Sequence, residues 1–306
     1  METDLSALSL KELKALIARA GLSSEDCIDK ADLRSRAREA QEVLTRAPAP
    51  APTPSGPFQT VKTFGGYQCG VRAPSDVLNG AMADLLVVVL HGLGATNTDL
   101  VPLSDLILQQ APEVATRRIV WIFPQAPSTP IGTAWWTLDL ASFMAVSMNP
   151  GNDQLLSKLI RDEPTGLAQC RSRMATLLAD AKAFAGGLPS SKVLFCGFSL
   201  GAITSLDIAL QQPAGESLGG VVMMNGAPIV VEQWAERLKL HPKLRVHMSA
   251  GLQDMVLPAK ASDWALQLLQ ANGADATLMK HPGGHDVGGT EVLKSVAKFI
   301  AATLVR

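Results

Sequence analysis

The stretch that most constrains the fold is residues 192–202, with the sequence K-V-L-F-C-G-F-S-L-G-A. Residues 193–196 are an apolar run that predicts a buried strand, and apolar residues after Gly201 recur at helical spacing. The G-x-S-x-G between them must turn sharply, and a serine at the tip of so tight a turn leaves no room for Cβ atoms two residues on either side. Strand, strained turn and helix are the context of a nucleophile elbow, which predicts a nucleophilic Ser199. The alternative is a glycine-flanked serine in an ordinary strand-to-helix turn.

Length and composition predict one large α/β domain with a small appendage. The chain has 306 residues, of which 47% are hydrophobic and 18% charged, and its net charge is −1. Near-neutral charge gives no electrostatic case for nucleic acid or an anionic membrane. The four cysteines show neither metal-ligand spacing nor a disulfide framework, and no segment is typical of a signal peptide or membrane span. We therefore predict a cytoplasmic protein that needs no metal or other cofactor.

Three segments are predicted along the chain. Residues 1–46 form a small helical hairpin that resembles a SAP-like module, with Ser9 and Glu12 as a capping box and Asp29 starting the second helix. Their eight basic and nine acidic side chains lack the excess that DNA binding requires, which favours a protein-contact or accessory role. Residues 47–57 are an Ala/Pro-rich linker, and residues 58–306 are the catalytic domain.

Apolar strands alternate with helical patterns through residues 58–306. This alternation predicts a doubly wound, mostly parallel sheet whose functional loops lie at the carboxyl ends of the strands. Residues 137–153 have no clear period and are predicted to form a surface loop over the site.

A serine nucleophile needs a histidine base held by a carboxylate. His285 follows P-G-G in a loop after the last predicted strand, and it is the preferred base, with His281 as the alternative. His247 lies inside a strand and His241 precedes a proline in a turn, so both are expected to be structural.

Asp254 is the preferred acid because it follows a strand in a loop closed by Pro258. Asp207 and Asp263 lie in helices, where interaction with the helix dipole or a solvated face accounts for them better. Asp286 adjoins the base in sequence, which makes a hydrogen bond to the histidine Nδ1 difficult. The order Ser199, Asp254, His285 is that of α/β-hydrolases.

The oxyanion of an acyl-transfer intermediate requires hydrogen-bond donors. The backbone N–H of Leu200, directly after the serine, is one candidate. The N–H of Leu93, in the glycine-containing H-G-L-G at 91–94, is the second. His91 is expected to stabilise this loop and not to act as a base.

These motifs together resemble the phospholipase/carboxylesterase family of α/β-hydrolases, which includes the acyl-protein thioesterases. The resemblance covers roughly residues 60–306 and is carried by L-H-G-L-G at 90–94, P-Q-A-P at 124–127, A-W-W at 134–136, G-F-S-L-G at 197–201, G-L-Q-D at 251–254 and G-H at 284–285. It implies the α/β-hydrolase fold, Ser199, Asp254 and His285 as the triad, and Leu93 and Leu200 as the oxyanion hole. Family members usually carry glutamine after the nucleophile, where this chain has Leu200. The backbone donor is unaffected by that difference.

An acyl groove is predicted beside the site. Two adjacent tryptophans in a loop after a strand favour at least one of them facing substrate. The residues assigned to substrate binding are Trp135, Trp136, Leu138, Met255 and Val256, with Phe143, Met144 and Met148 as further candidates. The alternative is that half of the loop residues simply pack under the loop and do not line a groove.

The sequence thus predicts a serine carboxylesterase acting on small-molecule acyl esters through an acyl-enzyme. Acyl-protein thioesterase or lysophospholipase activity is the alternative. A non-catalytic binding protein on a hydrolase fold is a third hypothesis, against which the complete triad argues.

Overall fold

The computed structural model describes residue 5 and residues 8–20, 22–24, 27, 30–45, 56–149 and 152–305. The predicted linker falls mostly outside these residues, and so does Asp29 as the start of the second helix. The division of the chain near residues 46 and 58 stays a prediction.

The two helices expected at the N-terminus are present. They are α1 (Leu10–Arg19) and α2 (Lys30–Thr45). The capping box is confirmed, because the Ser9 N–H donates to Glu12 Oε2 at 2.8 Å and the Glu12 N–H donates to Ser9 Oγ. A small apolar core joins the helices through Leu13, Ile17, Ala20, Leu33, Ala37 and Ala40. Leu10, the first residue of α1, is exposed.

The strands of the described residues form one large sheet and a small hairpin. They are β1 (Thr60–Phe64), β2 (Tyr67–Arg72), β3 (Leu85–Leu90), β4 (Ile119–Pro124), β5 (Ser128–Thr129), β6 (Gly132–Thr133), β7 (Val193–Phe198), β8 (Gly220–Met224), β9 (Arg245–Gly251) and β10 (Asp275–His281). The large sheet has the order β1-β2-β4-β3-β7-β8-β9-β10, and β5 pairs with β6. The pairings β1–β2 and β2–β4 are antiparallel and the remainder of the large sheet is parallel.

Helices cover both faces of the sheet. They are α3 (Ser75–Leu78), α4 (Val101–Gln110), α5 (Pro112–Ala115), α6 (Leu140–Met148), α7 (Asp153–Arg161), α8 (Leu167–Phe184), α9 (Leu200–Leu210), α10 (Val231–Leu238), α11 (Ala259–Ala271) and α12 (Thr290–Leu304). Alternate residues of β3 enter different cores: Leu86 and Val88 pack in the core that includes α8 and α9, while Val87 packs in the core that includes α4 and α12. The predicted doubly wound α/β architecture is therefore confirmed.

The prediction of an irregular loop over residues 137–153 is wrong for most of that segment. Helix α6 occupies Leu140–Met148, and α7 begins at Asp153. The N–H of Ser142 donates to Asp139 Oδ1 at 3.1 Å, which caps the first turn of α6. The residues of α6 are mostly apolar, so their sequence lacks the alternation of polar and apolar faces by which a surface helix is recognised. Among the described residues, no helix is both long and apolar enough to cross a membrane.

Candidate active site

Ser199 occupies the sharp turn between β7 and α9. Its backbone has φ 54° and ψ −122°, a conformation that a serine adopts only under constraint from its surroundings. Its N–H donates to the carbonyl of Met224 at 2.9 Å, which holds the turn against the end of β8. The amides of Ala202 and Ile203 donate back to the Ser199 carbonyl, so α9 starts directly after the serine.

The glycines on either side are required by close approach of the backbone. A Cβ on Gly197 would lie 2.2 Å from the carbonyl oxygen of Gly201. A Cβ on Gly201 would lie 2.1 Å from the carbonyl oxygen of Leu90, at the end of β3. Both contacts are far shorter than a van der Waals separation, which confirms the steric interpretation of the G-x-S-x-G.

The structure brings Ser199, His285 and Asp254 together. His285 Nε2 lies 2.9 Å from Ser199 Oγ, and His285 Nδ1 lies 2.6 Å from Asp254 Oδ2. The His285 ring also packs against Phe198, with the ring centroids 4.8 Å apart. With Nδ1 protonated and facing the carboxylate, Nε2 is free to accept the serine proton.

The Asp254 carboxylate is buried and fully hydrogen-bonded. Its second oxygen, Oδ1, accepts the N–H groups of Val256 and Leu257, each at 2.8 Å. These bonds form a tight turn directly after β9 and fix the direction in which Oδ2 points. One oxygen therefore shapes the loop while the other holds the imidazole.

The other histidines after Ser199 have structural partners. His247 lies buried in β9 between the hydroxyls of Thr277 (3.0 Å) and Ser295 (2.7 Å), and burial lowers its pKa. Burial likewise lowers the pKa of His241. His281, the alternative base, is buried, and its Nδ1 accepts the N–H of Gly283, so it anchors the loop.

The expectation of a solvated or helix-dipole role for Asp207 is wrong. Its side chain is fully buried and makes a two-point ion pair with Arg171, at 2.8 Å to Nε and 2.7 Å to Nη2. The indole N–H of Trp234 donates to the same carboxylate at 2.9 Å. Asp207 therefore joins α9 to α8 and α10, and it is not available to the imidazole.

Asp263 and Asp286 also have other partners. Asp263 pairs with Lys280 near the surface. The Asp286 carboxylate accepts the N–H groups of Gly284 (3.0 Å) and Gly288 (2.8 Å), which shapes the loop around the base.

The two expected oxyanion donors are available. Within the described part of the chain, no hydrogen bond uses the N–H of Leu93 or Leu200. The neighbouring N–H of Gly94 is already bound to the carbonyl of Thr133 at 2.8 Å. Leu200 is the first residue of α9, where the helix dipole adds positive potential. Its side chain is buried, so only its backbone can face a substrate.

His91 has the loop-stabilising position expected of it. It is buried, its Nδ1 lies 2.8 Å from the carbonyl of Gly92, and its Nε2 accepts the N–H of Ala126 at 3.1 Å. Burial lowers its pKa, so the ring stays neutral. These bonds fix the start of the loop that carries Leu93.

The tryptophan pair lies beneath the site and not on its surface. Trp135 and Trp136 are each 4% exposed. The indole of Trp135 donates to the carbonyl of His91 at 2.8 Å, and that of Trp136 to Thr204 Oγ1 at 3.0 Å. Their burial gives no support to the expectation that one of them faces substrate.

The remaining groove candidates differ in exposure. Leu138 is half-buried and packs against the main core, whereas Met255 is 89% and Val256 44% exposed directly after Asp254. Phe143 is half-buried, while Met144 and Met148 on α6 are exposed. Met255 and Val256 are therefore the two assigned residues that lie open to solvent next to the acid.

A base between a hydroxyl and a buried carboxylate, with two unused backbone donors near the hydroxyl, can carry out acyl transfer. Among the described residues, no group of three His, Cys, Asp or Glu side chains is placed to hold a metal ion.

The fold and this geometry define an α/β-hydrolase. The chain belongs to the phospholipase/carboxylesterase family, whose profile matches residues 77–304. It is therefore a member of a family of ester hydrolases.

Two curated proteins illustrate the similarity in sequence. A probable carboxylesterase SOBER1-like protein of Arabidopsis thaliana is 28% identical over 217 residues, covering 69% of this chain and 76% of the relative. Acyl-protein thioesterase 1 of Schizosaccharomyces pombe is 24% identical, covering 65% of this chain and 81% of the relative.

Solved structures agree in fold. The crystal structure of esterase PE8 has a TM-score of 0.56 and 27% identity, covering 71% of this chain and 92% of PE8. That of Arabidopsis thaliana SOBER1 has a TM-score of 0.56 and 22% identity, covering 72% and 99%.

Proposed function

We propose that the chain is a serine carboxylesterase that hydrolyses small-molecule acyl esters. The observation that carries this proposal is the hydrogen-bonded series from Ser199 Oγ through His285 to Asp254, with the serine in a strained turn. Residues 58–306 would form the catalytic domain. Residues 1–46 would serve as an accessory unit that contacts another protein and not nucleic acid. The four cysteines are free, which supports a place in the reducing cytoplasm.

The reaction begins when His285 Nε2 takes the proton of Ser199 Oγ as the oxygen attacks the ester carbonyl. The carbonyl oxygen becomes an oxyanion, which accepts hydrogen bonds from the backbone N–H groups of Leu93 and Leu200. Asp254 stabilises the imidazolium and keeps its Nδ1 directed away from the serine.

Collapse of this intermediate breaks the bond to the leaving oxygen, which takes the proton from His285 Nε2 and departs as an alcohol. The acyl group remains on Ser199. Water then gives a proton to His285 and attacks the acyl carbonyl, and the second collapse returns that proton to Ser199 Oγ and releases the carboxylic acid.

Thioester hydrolysis is the second candidate, and similarity to an acyl-protein thioesterase favours it. The same groups serve both reactions, because only the leaving atom changes from oxygen to sulfur. Lysophospholipase activity would likewise need only a longer acyl chain in the groove.

The test is hydrolysis of p-nitrophenyl esters of two to twelve carbons, and of matched acyl thioesters, by the wild-type chain and two variants. Ser199→Ala is expected to lower kcat on the order of 10⁶-fold. Ser205→Ala is the matched control, because this buried hydroxyl on α9 has no hydrogen-bond partner among the described residues.

Each methylene that enters an apolar groove should contribute ~0.8 kcal/mol, about a fourfold rise in kcat/KM, until the groove is filled. A preference for thioesters at every length would favour the second candidate. If Ser199→Ala kept both its activity and its fluorophosphonate labelling, the proposed nucleophile would be excluded. A wild-type chain that is inactive on all substrates and unlabelled would favour a binding protein.

A further inference from the structure

Asn225 directly follows β8, at the sheet edge where the candidate site lies. It is 1% exposed, and its φ of 48° lies in the left-handed region. Asparagine tolerates this conformation better than most residues, which accounts for the backbone but not for the burial of an amide.

The side-chain amide of Asn225 makes two hydrogen bonds that join different loops. Its Oδ1 accepts the N–H of Gly251 at 2.9 Å, and its Nδ2 donates to the carbonyl of Asp286 at 2.6 Å. Gly251 is three residues before Asp254, and Asp286 follows His285 directly. One amide therefore holds the chain next to the acid and next to the base.

The backbone at the end of β8 is also hydrogen-bonded to the segments that carry the candidate triad. The carbonyl of Met224 accepts the N–H of Ser199 at 2.9 Å, and the N–H of Asn225 donates to Ser249 in β9 at 2.8 Å. Two consecutive residues thus contact the segments of all three triad members.

The loop that carries His285 depends on such attachment. It contains Gly283, Gly284, Gly288 and Gly289, and glycine-rich backbone loses much conformational entropy when ordered. The N–H of Gln253 donates to the carbonyl of Gly283 at 3.0 Å, which ties the two loops to each other. The Asn225 amide ties both to the end of β8.

We infer that Asn225 is a positioning residue, which sets the separation of His285 from Asp254 and Ser199 through the backbone at Gly251 and Asp286. An amide suits this position because it offers an acceptor and a donor on one short side chain, whereas a carboxylate would offer two acceptors. The inference rests on the proposed function and adds a residue that contacts neither substrate nor the reacting atoms.

The test compares Asn225→Gly and Asn225→Asp with wild type. Glycine keeps the left-handed backbone and removes both hydrogen bonds, while aspartate keeps the acceptor for Gly251 and places a carboxylate against the Asp286 carbonyl. We expect kcat per folded molecule to fall about 10- to 100-fold in Asn225→Gly, the scale of misplacing catalytic groups by about 1 Å, with KM within twofold of wild type. The rate of fluorophosphonate labelling should fall in parallel.

Protonation of the new carboxylate in Asn225→Asp would restore a hydrogen-bond donor to the Asp286 carbonyl. The kcat of this variant relative to wild type should therefore rise as the pH is lowered from 8 to 6. Gln212→Ala is the matched control, and it should leave kcat unchanged. Among the described residues, this buried side-chain amide bonds only to the Ile208 carbonyl at the end of α9.

The hydrogen bond between His285 and Asp254 provides a readout that does not require activity. Its Nδ1 proton should give a low-field ¹H resonance in wild type and in Gln212→Ala, and this resonance should broaden or vanish in Asn225→Gly. Unchanged kcat and an unchanged resonance in a folded Asn225→Gly would overturn the inference. A wild-type chain that shows the resonance but no hydrolysis would overturn the proposed function, while loss of that resonance in Asn225→Gly would still support the positioning role.

Discussion

Asp254 Oδ2 lies 2.6 Å from His285 Nδ1, although the two residues are 31 positions apart in the sequence. The acid follows β9 and the base follows β10, and these strands are parallel neighbours in the sheet. Their carboxyl ends therefore bring the two loops together.

Replacement of Asp254 by asparagine should abolish most activity without unfolding the protein. Its oxygen can still accept the amides of Val256 and Leu257, so the turn is preserved. Its NH₂ would face His285 Nδ1 and favour the tautomer that cannot accept the serine proton. We expect kcat to fall about 10⁴-fold. Ester hydrolysis and thermal unfolding measure the two effects, and a kcat near that of wild type would contradict the assignment of Asp254.

Alanine at Gly201 should disrupt the elbow. The new Cβ would meet the Leu90 carbonyl at 2.1 Å, and neither backbone can move without displacing β3 or α9. We expect a loss of about 1–3 kcal/mol in the free energy of unfolding, together with loss of activity. Gly56→Ala is the matched control, because no atom of the described residues lies within 4 Å of its Cβ position. Equal stability of the two variants in urea unfolding would show that the turn is not sterically limited.

Trp136 and Met255 should affect different properties. Trp136→Phe removes the donor to Thr204 Oγ1 in a buried site, which should lower stability by about 1 kcal/mol and leave the acyl-length profile of hydrolysis unchanged. Met255→Ser removes an 89% exposed apolar side chain beside Asp254, and it should shift the preference toward shorter acyl chains at wild-type stability. A changed length profile in Trp136→Phe would instead place that indole in the groove.

Acidification should destabilise the fold before the carboxylates titrate. Burial lowers the pKa of His91, His241 and His247, so the unfolded chain takes up protons near pH 6.5 while the native state does not. The free energy of unfolding should change little between about pH 7.5 and 8, where neither the histidines nor the thiols of the unfolded chain titrate strongly. As the pH falls through 6.5 it should decrease, by up to about 1.4 kcal/mol per pH unit for each histidine. Urea unfolding between pH 5 and 8 measures this slope, which His247→Asn should reduce. A free energy of unfolding that increases as the pH is lowered would contradict this prediction.

The native protein should show few reactive thiols. Burial raises the pKa of Cys69, Cys170 and Cys196 to about 12, which keeps them as unreactive thiols. Cys27, in the N-terminal helical part, is only half-buried. Titration with a thiol reagent at pH 8 should therefore detect at most one thiol in the native protein and four after denaturation. Rapid labelling of Cys196 in the native state would contradict its burial in β7.

The site residues could be predicted because each leaves a local mark in the sequence. Ser199 lies between a buried strand and an apolar helix, and Asp254 and His285 each lie in the loop that follows a strand. In a parallel sheet the carboxyl ends of the strands lie at one edge, so residues that follow different strands are expected to lie close together.

The α6 helix, the burial of the tryptophans and the ion pair of Asp207 could not be predicted in the same way. Each depends on what packs against the residue, and a uniformly apolar segment or a lone carboxylate has no local signal that names its partner. Asn225 belongs with them, although an asparagine directly after a buried strand at the site edge is a signal that could have marked it.

The sequence by itself determined the elbow, the doubly wound sheet and the three residues of the candidate triad, because backbone sterics and apolar periodicity act over a few neighbouring residues. Only the tertiary structure decided that Trp135 and Trp136 support the site from beneath and that the amide of Asn225 joins the loops of Asp254 and His285. Such contacts join residues tens of positions apart, and their geometry exists only once the strands lie side by side.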